Sequence, residues 1–570
     1  MKSSITGLLV FLSQLLGSVE QSCLADATAE RGMVATVHPE ATDAAVRVLE
    51  NGGNAVDAAI AAGLMLGIVD GPNSGIGGGC FILIRRADGR TVAIDGREMA
   101  PAAAHREMYL VDGKPQSELS KVGPLASGVP GALAAYELAV RKHGRSDWAD
   151  LVLPAADVAE RGFAIQQGYA RRLASVTRYL ARYPSSAAIL LDSEGQPYPA
   201  GSLLKQPDLA ATYREIASQG SQAFYSGRFA AACADWMAAN GGIMTRADLA
   251  NYRAIERQPV ETRYRGYTIV GFPPPSSGGI HVAQILNTLE PFDLAGIYKR
   301  DRAEFTHVVA EAMKLAFADR AYWLGDADFS SVPRGLIDRR YGRRLARQID
   351  PQQATPIDQH QFPPRYRLDT FPAANGSGHT THVAVADREG NWVAMTQTVN
   401  TTFGSKVIIP GTGVVMNNEM DDFSIAPGTP NAFGLLGAEA NSVAAGKRPL
   451  SSMSPTIVLR RGQPLMTIGA AGGPKIITQS LLGVICRIDL KMSVDELLAF
   501  SRFHHQWQPD RLLVEANTSD ELISGLQQRG HMVQRIRSVG VSQVIIWDPV
   551  RQLFHGSHDP RVEGKAAGPR

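Results

Sequence analysis

The sequence predicts a large protein of mixed helices and strands, and three observations carry that prediction. Helix-period and strand-period apolar patterns alternate along the chain, with no internal repeat and no low-complexity tract. Near the N-terminus a pair of helices runs through a glycine-rich turn into an apolar strand. Around residue 390 a stretch rich in β-branched residues folds back on itself. At 570 residues, 44% hydrophobic and 20% charged, the chain can bury a substantial core.

The first element is a leader. Lys2 precedes the apolar run "ITGLLVFLSQLLG" (5–17), too short and too interrupted to span a bilayer. Ala25 and Ala27 follow with the A-x-A spacing that a signal peptidase reads. Residues 1–27 are therefore expected to be a secretory signal, leaving an exported mature chain without a membrane span. Cys23 raises a lipoprotein alternative, but the preceding "EQS" is a poor lipidation box. The remaining cysteines, Cys80, Cys233 and Cys486, have neither a disulfide framework nor zinc-ligand spacing. A formal net charge of +2 leaves no electrostatic footprint for nucleic acid. The arginine-rich "RGLIDRRYGRRLARQ" (334–348) reads as a solvated helix face.

"PEATDAAVRVLENGGNAVDAAIAAGLMLGIV" (39–69) reads as two helices, the first ending at Gly52–Gly53 and the second capped by Asn54. The following "NSGIGGGCFILIRR" (73–86) puts Gly75, Gly77 and Gly79 before a strand. A dinucleotide loop has the opposite order, so a tight turn approached closely by backbone is expected. "PPPSSGG" (273–279) is a rigid turn before a helix, and "RAEFTHVVAEAMKLAFADRAYWLG" (302–325) a long amphipathic helix without evident chemistry. Residues 349–379 have the proline, glycine and serine content of a linker or exposed loop.

Next comes a hairpin. "TTHVAVA" (380–386) supports a strand, "DREGN" (387–391) a turn and "WVAMTQT" (392–398) the returning strand. A symmetric five-residue turn pairs Ala386 with Trp392 and Thr380 with Thr398, whose Cβ atoms would then lie about 5 Å apart. Three readings of the "HTTH" start are open: a metal pair at His379 and His382, a plain strand start, or a cut before Thr380. The metal pair lacks a carboxylate at suitable spacing on the strand. A cut would give Thr380 a free α-amine beside its own hydroxyl, the activated N-terminal nucleophile.

These residues belong to a longer set. "TTHVAV", "TQTVNTTFG", "NNEMDDFS" (417–424), "KRPLSSMSPT" (447–456) and "GAAGGP" (469–474) occur in that order and resemble the small subunit of γ-glutamyltranspeptidases. Upstream, "GMVAT", "GGNAVDAA", "IGGGCF" and "DGREMAPAAA" (95–104) resemble the large subunit, and "DPRVEGKAAG" (559–568) extends the likeness towards the C-terminus. The resemblance implies an α+β fold, the four-layer αββα sandwich of N-terminal-nucleophile hydrolases. It also implies self-cleavage at His379–Thr380 into a large subunit (28–379) and a small subunit (380–570).

The resemblance further assigns a site. Thr380 is the expected nucleophile, Thr398 its helper, and Gly472 and Gly473 the backbone oxyanion donors. Arg97 is expected to grip the substrate α-carboxylate with Ser451 and Ser452. Asp422, with Asn400 and Glu419, would hold the α-ammonium. Glutathione and other γ-glutamyl compounds are the expected donors, with water, amino acids or dipeptides as acceptors and no cofactor or metal. "APGTPNAFGLLGAEANSV" (426–443) resembles a lid loop with Phe433 in place of a common tyrosine. Periplasmic residence is expected, with secretion as the other outcome of export. Two alternatives remain: an amidase for poly-γ-glutamate or glutaryl-cephalosporin, and a non-catalytic γ-glutamyl-binding relative. Asn400 and Asp422 argue against glutaryl, which has no amine to hold.

Overall fold

The computed structural model describes residues 27–366, 380–426 and 428–570. Residues 1–26 of the expected leader and His379 at the expected cut lie outside the described residues.

The expected helix pair forms as Pro39–Glu50 and Ala55–Val69. Asn54 caps the second in a reciprocal box: its side-chain oxygen accepts from the amides of Val56 (2.8 Å) and Asp57 (3.1 Å), and the Asp57 carboxylate accepts from the Asn54 amide (2.9 Å). Apart from Asp57 this helix carries no charge, so it is buried along its whole length.

Two seven-stranded antiparallel sheets stack face to face. The first runs, edge to edge, through Lys565–Ala567, Gly32–Thr36, Thr381–Asp387, Trp392–Thr398, Gly79–Arg85, Thr91–Gly96 and Ile255–Arg257. The second runs through Ala27–Ala29, Leu553–His558, Val541–Asp548, Gln463–Ala471, Thr456–Arg460, Tyr267–Gly271 and Val260–Tyr264. Helices of residues 39–69 and 132–161 cover the first sheet, and helices Gly278–Leu289, Arg302–Trp323 and Lys475–Ile488 cover the second. This is the expected αββα order. Each sheet contains strands from both sides of the expected cut, so cleavage would leave two interlocked chains.

Alternation along the central hairpin shows how the layers are built. Val383, Val385, Val393 and Met395 pack against helices, whereas Ala384, Ala386, Trp392 and Ala394 face the second sheet. Small residues on that inner face let the two sheets approach to the usual spacing of roughly 10 Å.

Helix Arg302–Trp323 departs from expectation. The sequence reading made it amphipathic, but every residue from Ala303 to Arg320 except Glu304 is buried, Glu311, Lys314, Asp319 and Arg320 included. It is enclosed by the helices at 278–289, 294–300 and 520–528 and the strand at 503–504, so its polar stripe meets protein rather than water. The arginine-rich stretch keeps its solvated face: helix Arg339–Ala346 exposes Arg339, Arg340, Arg343 and Arg344 and buries Tyr341 and Leu345. Cys80, Cys233 and Cys486 are buried free thiols.

Candidate active site

The hairpin register is the expected one. Ala386 pairs with Trp392 and Thr381 with Gln397, so the next step outward sets Thr380 opposite Thr398. Side-chain parity then decides which way Thr380 points. Thr381 lies on the helix side, where its hydroxyl donates to Asp70 Oδ2 at 2.5 Å just beyond the end of helix Ala55–Val69. Thr380 therefore shares the inner face with His382, Ala384 and Ala386. Thr398 shares that face with Thr396, whose hydroxyl meets His382 Nδ1 at 3.0 Å. Thr398 Oγ1 accepts from the Asn400 amide at 2.7 Å. Thr380 is 5% exposed, and its hydroxyl has no hydrogen-bond partner among the described residues. A buried hydroxyl is normally satisfied, so one without a partner calls for an explanation, and a catalytic role is one of those that fit.

The second sheet brings up the glycine pair. Thr467 Oγ1 reaches Val393 O at 3.4 Å, and Gly469 lies directly over the His382 ring, level with Thr396. The strand Gln463–Ala471 thus advances towards the same end as Trp392–Thr398. Continuing that step puts residues 471–473 level with Thr398 and Thr380. There the chain turns through Gly472 (φ +135°) and Gly473 (φ +70°) into helix Lys475–Ile488. Left-handed backbone at both positions favours glycine.

Along the first sheet the same row continues sideways. Thr398 pairs with Gly79, and Cys80 pairs with Gly96, so Gly79 is level with Arg97. Three strand spacings, roughly 14 Å, separate the Thr380 and Arg97 backbones. The turn before Gly79 is the expected close approach: a Cβ on Gly77 or Gly78 would collide with Val415 or Thr398 backbone.

Arg97 is fully buried and surrounded by carboxylates. Its Nη1 lies 2.8 Å from Glu98 and 2.7 Å from Glu419, its Nη2 3.2 Å from Asp422. Burial raises the carboxyl of Asp422 to about 6 against the pull of Arg97. Burial likewise raises both Glu98 and Glu419, which crowd one another, so the pair retains a proton more readily than free carboxylates. One guanidinium among three carboxylates leaves anionic capacity for an incoming ammonium, while the guanidinium itself suits a carboxylate.

Loops of the C-terminal part frame this cluster. Asn417 bonds Gly77 O, Gly128 N and Gly128 O, fixing the short turn Glu419–Asp422. Asn400, at φ +75°, donates to Asn418 O at 2.8 Å. Ser451 Oγ accepts from the Met453 amide at 2.8 Å, and its carbonyl takes the Ser277 amide of the "PPPSSGG" turn at 2.8 Å. Ser452 Oγ accepts from Arg320 Nη2 at 3.2 Å. The segment expected to act as a lid is tied to the turn at Asp421 and Asp422: Asn431 Nδ2 donates to Asp422 Oδ1 at 3.2 Å, and the Ala432 amide to Asp421 Oδ2 at 2.9 Å. Phe433, half-buried, packs on the core beneath the second sheet.

Of the expected site residues, Thr380, Thr398, Gly472 and Gly473 fall at one end of a row and Arg97, Glu419 and Asp422 cluster at the other; Asn400 joins the two through Thr398 and Asn418, and Ser451 and Ser452 are held by the Ser277 turn and Arg320. Sequence reasoning missed Glu98, Arg320 and Asn431. Glu98 follows Arg97 in a quoted motif and Asn431 lies in the quoted lid. Arg320, lowered to about 10 by burial and aimed at Ser452 and Ser277, had no local signal in its helix. His382 is not set up as a ligand. It faces the second sheet with Nδ1 on Thr396, and its partner in the metal reading, His379, lies outside the described residues.

The comparisons agree with this architecture. The family model for Gamma-glutamyltranspeptidase matches residues 41–569. The chain is 43% identical over 554 residues to the glutathione hydrolase proenzyme of Escherichia coli, covering 96% of this chain and 94% of that protein. It is 39% identical over 534 residues to the Acylase ACY 1 proenzyme of Pseudomonas sp. strain SE83, covering 92% and 91%. Among solved structures, the cephalosporin acylase from Bacillus halodurans superposes with a TM-score of 0.86 at 26% identity over 99% of this chain and 100% of that one. The Helicobacter pylori γ-glutamyltranspeptidase gives 0.56 at 41% identity over 57% of this chain and 93% of that one. Two stacked antiparallel sheets, a buried threonine at the edge of the inner layer and a family match over nearly the whole chain lead to one conclusion: this chain belongs to the γ-glutamyltranspeptidase family.

Proposed function

We propose that the chain is a γ-glutamyltransferase and glutathione hydrolase that creates its own nucleophile by cutting before Thr380. The observation that carries this reading is the orphaned, buried Thr380 hydroxyl on the inner face, opposite Thr398 and level with Gly472–Gly473. In maturation, Thr380 Oγ1 attacks the carbonyl carbon of residue 379, the peptide nitrogen takes a proton, and the bond becomes an ester. Water hydrolyses the ester, freeing residue 379 as a carboxylate and Thr380 with an α-amine.

In turnover that amine takes the hydroxyl proton as Oγ1 attacks the γ-glutamyl amide carbonyl. The Gly472 and Gly473 amides receive the oxyanion, each such donor being worth roughly 3–4 kcal/mol of barrier. Collapse expels the amine leaving group, which leaves with the proton, and an acyl-enzyme ester remains. Water yields glutamate; an amino acid or dipeptide amine yields a new γ-glutamyl compound. Arg97, Ser451 and Ser452 hold the α-carboxylate, and Asp422, Glu419 and Asn400 the α-ammonium. Export to the periplasm and a mature heterodimer of residues 28–379 and 380–570 complete the reading.

The acylase relatives give a second reading, a glutaryl-type amidase. The carboxylates around Arg97 favour an acyl group bearing an amine. The test is a denaturing gel with N-terminal sequencing and paired γ-glutamyl and glutaryl anilide assays. Wild type is expected to yield a fragment of about a third of the chain beginning Thr-Thr-His-Val and to prefer the γ-glutamyl substrate. Thr380→Ala is expected to stay whole and inactive. An uncut, inert wild type overturns the enzyme reading, and a glutaryl preference overturns the substrate.

A further inference from the structure

Helix Arg302–Trp323 places His307 and Glu311 one turn apart on the same side. His531, from the loop before strand Val533–Ile536, closes on them, and one donor atom from each of the three lies within 4.8 Å of the other two. All are buried, at 0%, 2% and 6% exposure. The hydrogen bonds around them fix which atoms face inward. His307 Nε2 lies 2.7 Å from Asp350 O, and since a carbonyl only accepts, Nε2 carries the proton and Nδ1 presents its lone pair. His307 Nδ1 accepts from His531 Nε2 at 2.7 Å, so without an ion His531 carries its proton on Nε2, and ligation requires that proton to shift to His531 Nδ1. Glu311 Oε2 accepts from the Thr355 amide at 3.0 Å, and Oε1 pairs with Lys314 at 2.7 Å.

We propose that His307, Glu311 and His531 form a binding site for a borderline divalent transition ion, Zn²⁺ the reference case. Two imidazoles and a carboxylate are a zinc donor set, needing donor atoms about 3.3 Å apart around the ion. Small rotations of the three side chains open that spacing from the present cluster. The backbone bond from His307 Nε2 supplies the outer partner that orients an imidazole ligand. Lys314 balances Glu311 and is displaced when the ion enters. This site is remote in role from the γ-glutamyl machinery, and the sequence reading assigned no metal. His307 and Glu311 precede Thr380 and His531 follows it. On the proposed maturation, which this part alone rests on, the ion staples the large chain to the small one.

The experiment uses untagged protein made in medium supplemented with Zn²⁺ or Co²⁺, since the site is enclosed, followed by gel filtration and atomic emission. Wild type is expected to retain one ion per chain, and His531→Gln and Glu311→Gln none above background. Maturation and γ-glutamyl hydrolysis report whether each variant is folded. His531→Cys keeps a donor and is expected to add a Co²⁺–thiolate charge-transfer band, so the assignment stands or falls even if His531→Gln does not fold. Wild type without retained ion, or His531→Cys with Co²⁺ but no thiolate band, overturns the site. In the cut protein, the urea concentration that separates the chains is expected to rise with metal in wild type only; an unchanged midpoint overturns the stapling. Ion retention is read from uncut protein equally well, so failure of the site and failure of maturation are distinguishable.

Discussion

Asp422 gives the sharpest quantitative test of the substrate pocket. Burial holds its carboxyl at about 6, and only the ionised form attracts the α-ammonium of a γ-glutamyl ligand. Affinity should therefore be level above about pH 7 and fall as pH drops through 6. Asp422 is about 90% ionised at pH 7 and about 10% at pH 5, so binding should weaken roughly tenfold, or about 1.4 kcal/mol. The assay is the competitive Ki of L-glutamate, whose own γ-carboxyl, near 4.3, stays largely ionised over this range. A non-reacting ligand keeps the chemical step out of the measurement, and the nucleophile's amine, ordinarily about 7.7–8.0, stays largely protonated over this range. Asp422→Asn should raise Ki at pH 7 and approach the wild-type value at pH 5, because the amide carries no charge and its single oxygen can accept from only one of Asn431 and Arg97. The raised Glu98–Glu419 pair leaves a shallower slope in Asp422→Asn; a wild-type Ki that does not change between pH 5 and 7, or an Asp422→Asn profile as steep as wild type, refutes the assignment of the ammonium to this carboxylate.

Asn431→Ala removes the lid's 3.2 Å bond to Asp422 and the bonds Asn431 Oδ1 makes to the amides of Phe433 and Leu435. At about 1 kcal/mol for a half-exposed bond, KM for a γ-glutamyl anilide should rise roughly fivefold with kcat little changed. Gly469→Ala forces a Cβ into the His382 ring, which is fully buried and tied to Thr396. Overpacking of this kind costs about 1–3 kcal/mol, read as a lower Tm, and should slow appearance of the small fragment by pushing the nucleophile strand aside.

Much of the fold was legible because it is written in short-range patterns. The helix cap at Asn54, the turn before Gly79 and the symmetric hairpin of residues 380–398 each depend on contacts within a few residues or one ladder, and the structure has them as read. The order of motifs gave the site residues their candidate identities. What sequence spacing could not decide was which distant segments meet. The burial of helix Arg302–Trp323 depends on helices and a strand closing over its polar stripe, so an amphipathic pattern was compatible with either outcome. Arg320 reaching Ser452, the three carboxylates converging on Arg97, and His531 closing on His307 and Glu311 all join residues more than a hundred positions apart, Glu98 and the local helix pair excepted. Local sequence determines hydrogen-bond register and periodicity; charge desolvation, and with it the shifted carboxyls, exists only once the layers have stacked.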